Sequence, residues 1–147
     1  MKYDPKAIEA RWQSRWESSR LNATPSTPNR EYYVLEMFAY PSGDIHMGHF
    51  RNYGIGDAIA RYRMMRGYDV LPPFGWDAFG LPAENAAIKN KLHPRDWTLK
   101  NVETGKATLK RMGISYDWDR EVRTFEPDYY KWTQWLFLLL FKNGWAY

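Results

Sequence analysis

Cysteine is absent from the 147-residue sequence, and histidine occurs only three times. The absence of cysteine excludes disulfides and any zinc site built on thiolates, and it is compatible with a reducing compartment. No basic segment followed by an apolar stretch opens the chain, so a cleaved secretory signal is not expected. The apolar run WLFLLLF is too short to span a bilayer. We therefore expect a cytoplasmic protein in which this run is a buried helix, packed on a sheet or on neighbours that the chain lacks.

Charge of one sign is only slightly in excess. Lys and Arg number 21 against 17 Asp and Glu, which gives a formal net charge of +4 at pH 7. This is a mild bias towards polyanions such as nucleic acids. The length of the chain is sufficient for one core and one domain, and no internal repeat is present.

The strongest functional signal lies in residues 32–57, which read YYVLEMFAYPSGDIHMGHFRNYGIGD. The apolar run YYVLEMF predicts a strand buried on both faces of a parallel sheet. Residues 41–44 predict a turn, after which Asp44 or Ser42 would cap a helix. The free N–H groups and the positive dipole end of such a helix favour a phosphate.

Two histidines, His46 and His49, stand three residues apart at the start of this predicted helix. That spacing places both rings on one face, and Gly48 between them leaves room for a ligand to approach. The arrangement suits ATP. Half of a metal site is an alternative, although His93 is remote and no cysteine can complete the ligand set. Two unrelated surface histidines are the other alternative.

A second informative loop, FGWDAFGLPAE, follows a predicted strand at residues 68–71. Gly75 and Gly80 permit tight turns around one carboxylate, Asp77. Three aromatic side chains are predicted to wall an apolar pocket around this carboxylate: Phe74, Trp76 and Phe79. A carboxylate in such surroundings is costly unless it meets a cation. A helix cap or a loop-closing hydrogen bond is the alternative role.

The remaining pattern alternates strands and helices. Helices are predicted over residues 5–19, 47–66, 83–90, 94–112 and 128–143, and a short strand near residues 121–124. The sequence divides at residue 30. Residues 1–30 are predicted to form an N-terminal helix and a polar linker, and residues 31–147 an α/β domain.

The two loops together resemble a known family. PSGDIHMGH is similar to the HIGH-type ATP motif of class I aminoacyl-tRNA synthetases. The strings MFAYPSGDIHMGHFRNYGIGDAIARY and GWDAFGLPAENAA resemble the leucyl-tRNA synthetases of the bacterial type, and the likeness extends from KYDPKAIEARWQSRW to YYKWTQWLFLLLFKNGWAY. The resemblance implies a Rossmann-like parallel sheet with flanking helices, the first half of a class I catalytic core.

The resemblance also implies a ligase that activates leucine with ATP and Mg²⁺ and passes it to tRNA(Leu). It assigns ATP binding to residues at the helix start: His46, Met47, Gly48, His49 and Asn52. His46 and His49 are the implied catalytic pair, which meets the phosphates. It assigns binding of the amino-acid substrate to Met37, Phe38, Tyr40 and Asp77. Within this last set, Asp77 would receive the α-ammonium, and no metal ligand is assigned.

Two positions depart from the family pattern. Ala39 stands where the family usually has proline, and the turn is expected to be less rigid as a result. Gly54 stands where threonine is common, which is expected to loosen the helix.

Members of this family are several times longer, and no lysine-rich KMSKS loop, zinc module, editing domain or anticodon-binding helices are recognisable. The resemblance therefore implies a truncated fragment, whose partner is the C-terminal part of the enzyme. Two alternatives stay open. One is another aliphatic class I synthetase, for isoleucine, valine or methionine. The other is a non-catalytic ATP-binding half that pairs with a separately made C-terminal chain.

Overall fold

The structure, a computed structural model, describes residues 3–147, so residues 1 and 2 of the predicted N-terminal segment lie outside the described residues. The helices in chain order are α1 (Pro5–Ser18), α2 (Met47–Met65), α3 (Leu81–Lys89), α4 (Pro94–Arg111) and α5 (Pro127–Lys142). The strands are β1 (Glu31–Tyr33), β2 (Asp69–Leu71), β3 (Gly75–Trp76) and β4 (Val122–Arg123). Every predicted helix is therefore present, with ends within two residues of the predicted ones.

The strands pair in parallel, as predicted. β1 lies beside β2 with Glu31 opposite Asp69, and β3 lies beside β4 with Gly75 opposite Val122. An isolated parallel bridge joins Ala39 to Trp76. Because β1, α2 and β2 follow one another along the chain, they form a βαβ unit with α2 as the crossover.

The prediction that residues 32–38 form one strand buried on both faces is wrong. β1 ends at Tyr33, and Leu35 and Met37 are 70% and 69% exposed. The neighbouring strand explains the early end. β2 is followed by Pro72 and Pro73, which have no N–H group to continue a ladder.

An aromatic core joins the strand ends to α2 and α4. The ring of Phe74 lies 4.9 Å from that of Trp76, 4.7 Å from that of Tyr116 and 5.3 Å from that of Tyr53. Val102 and Leu109 of α4 pack against these rings, and the buried cluster also includes Ala39 and Ile114. This core fixes the start of α2 relative to β3, and it therefore positions the two segments that carry the predicted site residues.

Helix α5 is exposed along its length. None of its residues is buried, and Trp132 and Trp135 remain 63% and 58% exposed. The expected burial against a sheet is thus not found. Among residues 3–147, no helix combines the length and apolar character needed to cross a membrane.

Candidate nucleotide and amino-acid site

The start of α2 is capped by its own histidines. His46 is the N-cap residue, and its Nδ1 accepts a hydrogen bond of 3.1 Å from the Gly48 N–H. In return, the Nδ1 of His49 accepts a hydrogen bond of 3.2 Å from the His46 N–H. This is a capping box in which imidazoles replace the usual hydroxyl and carboxylate groups. The prediction of a cap at Asp44 or Ser42 is wrong, because α2 begins at Met47 and both residues precede the N-cap position.

The hydrogen bonds of the capping box determine which ring nitrogens carry protons. Because both Nδ1 atoms accept, each neutral ring carries its proton on Nε2 and presents one N–H donor. The ring centroids of His46 and His49 are 4.0 Å apart, as the shared helix face predicted. The two rings therefore place two donors close together at the positive end of a 19-residue helix.

The electrostatics of His49 favour this donor role. Burial, and then the neighbouring His46, hold the pKa of His49 below its ordinary value of 6.5. His49 is also stacked on the buried ring of Tyr53, with 5.9 Å between centroids and 15° between planes. His49 is thus a neutral, oriented donor near neutral pH.

The other predicted ATP residues lie on the first turns of the same helix. Met47 is 73% exposed and Asn52 is exposed, so both side chains are accessible to a ligand. At Gly48, an added Cβ would come within 2.9 Å of the His46 ring. Glycine at this position makes room for the capping imidazole, whereas the sequence predicts room for a ligand. Assignment of this surface to ATP stays a prediction.

The carboxylate of the second loop faces a cavity of about 980 Å³, whose lining includes Phe38, Asp77, Phe79 and Tyr130. The rings of Phe79 and Tyr130 are 5.7 Å apart. Within residues 3–147, the Asp77 carboxylate makes no hydrogen bond or ion pair. The cap of α3 is Gly80, without a side-chain hydrogen bond. The carboxylate is therefore free to receive a ligand cation.

The prediction that Phe74 and Trp76 wall this cavity is wrong. Both are 1% exposed and belong to the aromatic core. They stand two residues apart in an extended segment, so they face the same side, which is the core. Of the three predicted aromatic walls, only Phe79 lines the cavity.

The residues predicted for the amino acid are only partly brought together. Phe38 lines the cavity with Asp77, whereas Met37 and Tyr40 lie outside its lining and are 69% and 59% exposed. Main-chain hydrogen bonds join the segment around Ala39 to the second loop. The Ala39 N–H donates to the Gly75 carbonyl at 3.1 Å, and the Asp77 N–H donates to the Ala39 carbonyl at 2.9 Å. A proline at position 39 has no N–H for the first of these bonds.

The second departure, Gly54, lies within an uninterrupted α2. A Cβ at this position would touch Phe50 at 3.7 Å, an ordinary van der Waals distance. The helix therefore has space for a side chain at residue 54.

Comparison with known proteins connects this geometry to a family. The family described as tRNA synthetases class I (I, L, M and V) matches residues 11–147. The chain belongs to the class I tRNA synthetases. The match covers both candidate site segments and all four strands.

Within this family, the synthetase chain is similar to leucine-tRNA ligases. It is 57% identical over 147 residues to the leucine-tRNA ligase of Desulfatibacillum aliphaticivorans, which covers 99% of this chain and 17% of that protein. It is 59% identical over 146 residues to the leucine-tRNA ligase subunit alpha of Aquifex aeolicus (strain VF5), again over 99% of this chain and 23% of that one. The chain thus spans about a fifth of the length of these relatives.

A solved structure gives the same result for the fold. The crystal structure of a ternary complex contains the Agrobacterium radiobacter K84 leucyl-tRNA synthetase with tRNA and LeuAMS. This chain superposes on that synthetase with a TM-score of 0.91 at 45% identity, over 97% of this chain and 19% of that one. The Rossmann-like catalytic-core fold is therefore confirmed.

Sequence reasoning missed one residue beside this site, Glu36. It is partly buried and accepts a hydrogen bond from the Tyr116 hydroxyl. A signal was present in the sequence, because Glu36 is the single charge in the run YYVLEMF. A charge within an apolar segment requires a partner.

Proposed function

We propose that this chain is the first half of the catalytic core of a leucyl-tRNA synthetase. The complete ligase would activate leucine with ATP to leucyl-adenylate and transfer leucine to tRNA(Leu). Residues 1–30 would form the N-terminal helix and linker, and residues 31–147 the truncated Rossmann-like domain. The observation that carries the proposal is the reciprocal histidine cap of α2, located after a strand and turn in a chain so similar to leucine-tRNA ligases.

ATP binding would use the start of α2. The two Nε2–H groups of His46 and His49 would donate to phosphate oxygens, supported by the positive helix end. Neither ring needs to remove a proton, because the attacking group is the carboxylate of leucine. Within residues 3–147, no cluster of three or more acidic or histidine side chains forms a metal cage. Mg²⁺ would therefore be held mainly by the phosphates of ATP, as is usual for this ion.

Leucine binding would use the cavity beside the second loop. The free carboxylate of Asp77 would take the α-ammonium, and Phe38 with the flanking Met37 and Tyr40 would contact the aliphatic side chain. With its ammonium held, the substrate's carboxylate is left to attack the α-phosphate in line, which releases pyrophosphate. Such chemistry depends on positioning and on stabilising charge at phosphate, and it asks little else of the protein.

The proposed partners include tRNA(Leu) and the remainder of the longer enzyme, in the cytoplasm. The chain spans 17% to 23% of the ligases that it matches, and one of these is named as a subunit alpha. The Agrobacterium relative was solved with tRNA and LeuAMS. The exposed apolar surface of α5 offers the remainder an area on which to pack.

Leucine-dependent ATP–pyrophosphate exchange tests the proposal. The chain is assayed alone and together with the C-terminal remainder, with leucine, isoleucine, valine or methionine as substrate. We expect exchange that depends on leucine and on the remainder. Exchange with another of these amino acids in preference to leucine would contradict the assignment to leucine, and the absence of exchange from the complete assembly would reject the function.

A further inference from the structure

Glu36 is a partly buried carboxylate for which the proposed chemistry has no use. It precedes Met37 directly, but its side chain turns towards α2. Its Oε2 accepts a hydrogen bond from the Tyr116 hydroxyl, and its Oε1 is buried without a hydrogen-bond partner among the described residues. A Cβ added to Gly56 would overlap this Oε1. The carboxylate is therefore packed against the backbone of α2 at Gly56.

The surroundings of Glu36 connect it to α2 by a second route. Ser115, next to Tyr116, donates its main-chain N–H to Asp57 at 2.7 Å, and Asp57 follows Gly56 on α2. Arg61, one turn further along α2, donates to Asp57 at 2.8 Å. The loop at residues 113–117 thus holds Glu36 on one side and the helix on the other.

Tyr53 extends this arrangement to the histidines. Its ring is fully buried, lies 6.1 Å from the ring of Tyr116 and is stacked under His49. The Tyr53 hydroxyl is also buried without a hydrogen-bond partner in the described part of the chain. Unpaired buried polar atoms cost about 1–3 kcal/mol each, so polar side chains are kept at this junction at some cost in stability.

The junction lies between the two proposed substrate segments. On one side, Met37 and Phe38 follow Glu36; on the other, His46 and His49 open the helix that contains Gly56. Hydrogen bonds in the structure do not join residues 34–40 directly to α2 within the described chain. The contact at Gly56 and the bridge through Tyr116 and Ser115 are the polar connection between the segments.

We propose that Glu36 is a positioning residue that couples the leucine segment to the ATP-site helix. Its carboxyl group, held by Tyr116 against Gly56, sets the distance between the two bound substrates. This inference rests on the proposed function. Misplacement of reacting groups by about 1 Å can cost about 100-fold in rate. Loss of this contact therefore lowers kcat more than it weakens the binding of either substrate.

The test uses the complete ligase, with this chain and its remainder. Glu36→Ala, Glu36→Gln and Tyr116→Phe are compared in leucine-dependent pyrophosphate exchange. We expect Glu36→Ala to lower kcat about tenfold or more, while each KM changes by less than about threefold. Glu36→Gln keeps the shape and an acceptor for Tyr116, so it restores most of the rate.

A second readout measures the coupling itself. Leucine affinity is determined by calorimetry with and without a non-hydrolysable ATP analogue. In the unmodified ligase the analogue is expected to strengthen leucine binding by about two- to threefold, which is within the limit set on the KM change, and in Glu36→Ala this gain is lost. Glu121→Gln is the matched control, because Glu121 is also a partly buried carboxylate but is bonded to Trp76 at 2.8 Å and Lys106 at 2.9 Å. The control is expected to keep the coupling even if its thermal midpoint falls.

The outcomes are separable. An active unmodified ligase in which Glu36→Ala keeps kcat within about twofold would overturn the inference alone, as would raised KM values at unchanged kcat. Failure of Glu36→Gln to restore the rate would also overturn it. If Glu36→Ala does not fold, Tyr116→Phe decides, with a lower kcat in support and an unchanged kcat against. No leucine-dependent exchange from the unmodified ligase would overturn the proposed function and this inference with it.

Discussion

The environment of Glu36 predicts a pH-dependent part of the stability that a single substitution removes. Burial raises the pKa of this carboxyl from 4.5 to about 7, although the hydrogen bond from Tyr116 opposes the rise and nearby Asp57 adds to it. The native state then retains a proton that the unfolded chain releases above 4.5. The contribution of Glu36 to the free energy of unfolding is therefore complete below pH 4.5, and it is lost as the pH rises to about 7.

The magnitude follows from the same pKa difference. A rise of about 2.5, at about 1.4 kcal/mol for each tenfold change in proton affinity, corresponds to about 3.5 kcal/mol. The Glu36 side chain is only partly buried, so solvent screening reduces this upper value to about 1–2 kcal/mol. An effect of that size is measurable, since it equals a large fraction of a domain's stability.

Urea unfolding at about pH 5 and about pH 8 is the assay, with the chain at low concentration and Glu36→Gln beside it. Glutamine does not titrate, so the stability of the unmodified chain relative to the variant should fall by about 1–2 kcal/mol from the lower to the higher pH. Glu121→Gln is the control. Lys106 and Trp76 hold the pKa of Glu121 below 4.5 despite its burial, so Glu121 loses its contribution only in more acidic solution. Parallel pH profiles for the chain and Glu36→Gln, or a Glu36 pKa near 4.5 by carbon NMR, would refute the reasoning.

Three further predictions concern the site. Because the Nδ1 of His49 accepts in the cap and its lowered pKa keeps the ring neutral, its Nε2–H should donate to ATP at neutral pH; His49→Ala should therefore weaken ATP binding by about 1.5–3 kcal/mol in calorimetry, and an unchanged ATP affinity would exclude contact between His49 and phosphate. Asp77→Asn should weaken leucine binding by about 1.5–3 kcal/mol while ATP affinity stays unchanged, as measured by calorimetry on the complete ligase. Equal losses of affinity for both ligands would mean that Asp77 supports the loop. Gly56→Ala should lower the thermal midpoint where Glu36 is present, yet be neutral or raise stability by up to about 1 kcal/mol in Glu36→Ala; additive effects would show that the two residues do not interact.

The features predicted correctly from the sequence are those with local causes. Gly67 adopts a φ of +76° after α2, and Pro5 and Pro94 stand at the first positions of α1 and α4. A residue that ends or begins a helix acts through its own backbone, so sequence alone is sufficient to locate it. The shared helix face of His46 and His49 is local in the same sense.

The features predicted wrongly depend on contacts between distant segments. The apolar residues of YYVLEMF predict a strand that reaches residue 38, but a ladder needs N–H groups on the neighbouring strand, and Pro72 and Pro73 have none. The prediction of the pocket walls depends only on the aromatic residue types around Asp77. Strand alternation would have placed Phe74 and Trp76 together on one side of the chain and Asp77 on the other. The histidine cap was missed because capping is normally assigned to hydroxyl and carboxylate side chains.

The surface of α5 leads to the last prediction, which is that the 147-residue chain associates with itself in the absence of the proposed remainder. Eight large apolar side chains of α5 are each at least 43% exposed. At roughly 100 Å² each they present about 800 Å² of apolar surface, more than the largest patch of about 300–600 Å² on a typical monomer.

Light scattering and sedimentation at several concentrations measure this association. Trp132→Lys with Trp135→Lys should reduce it, whereas a lysine at the already polar Gln134 of the same helix should not, and addition of the remainder should suppress it. Burial of this surface accounts for the predicted dependence of pyrophosphate exchange on the remainder, because an associated chain cannot offer α5 to its proper partner. A monomeric 147-residue chain that unfolds in one sharp transition and activates leucine at the full rate would contradict both the exposed-surface argument and the proposal that this is half of a catalytic core.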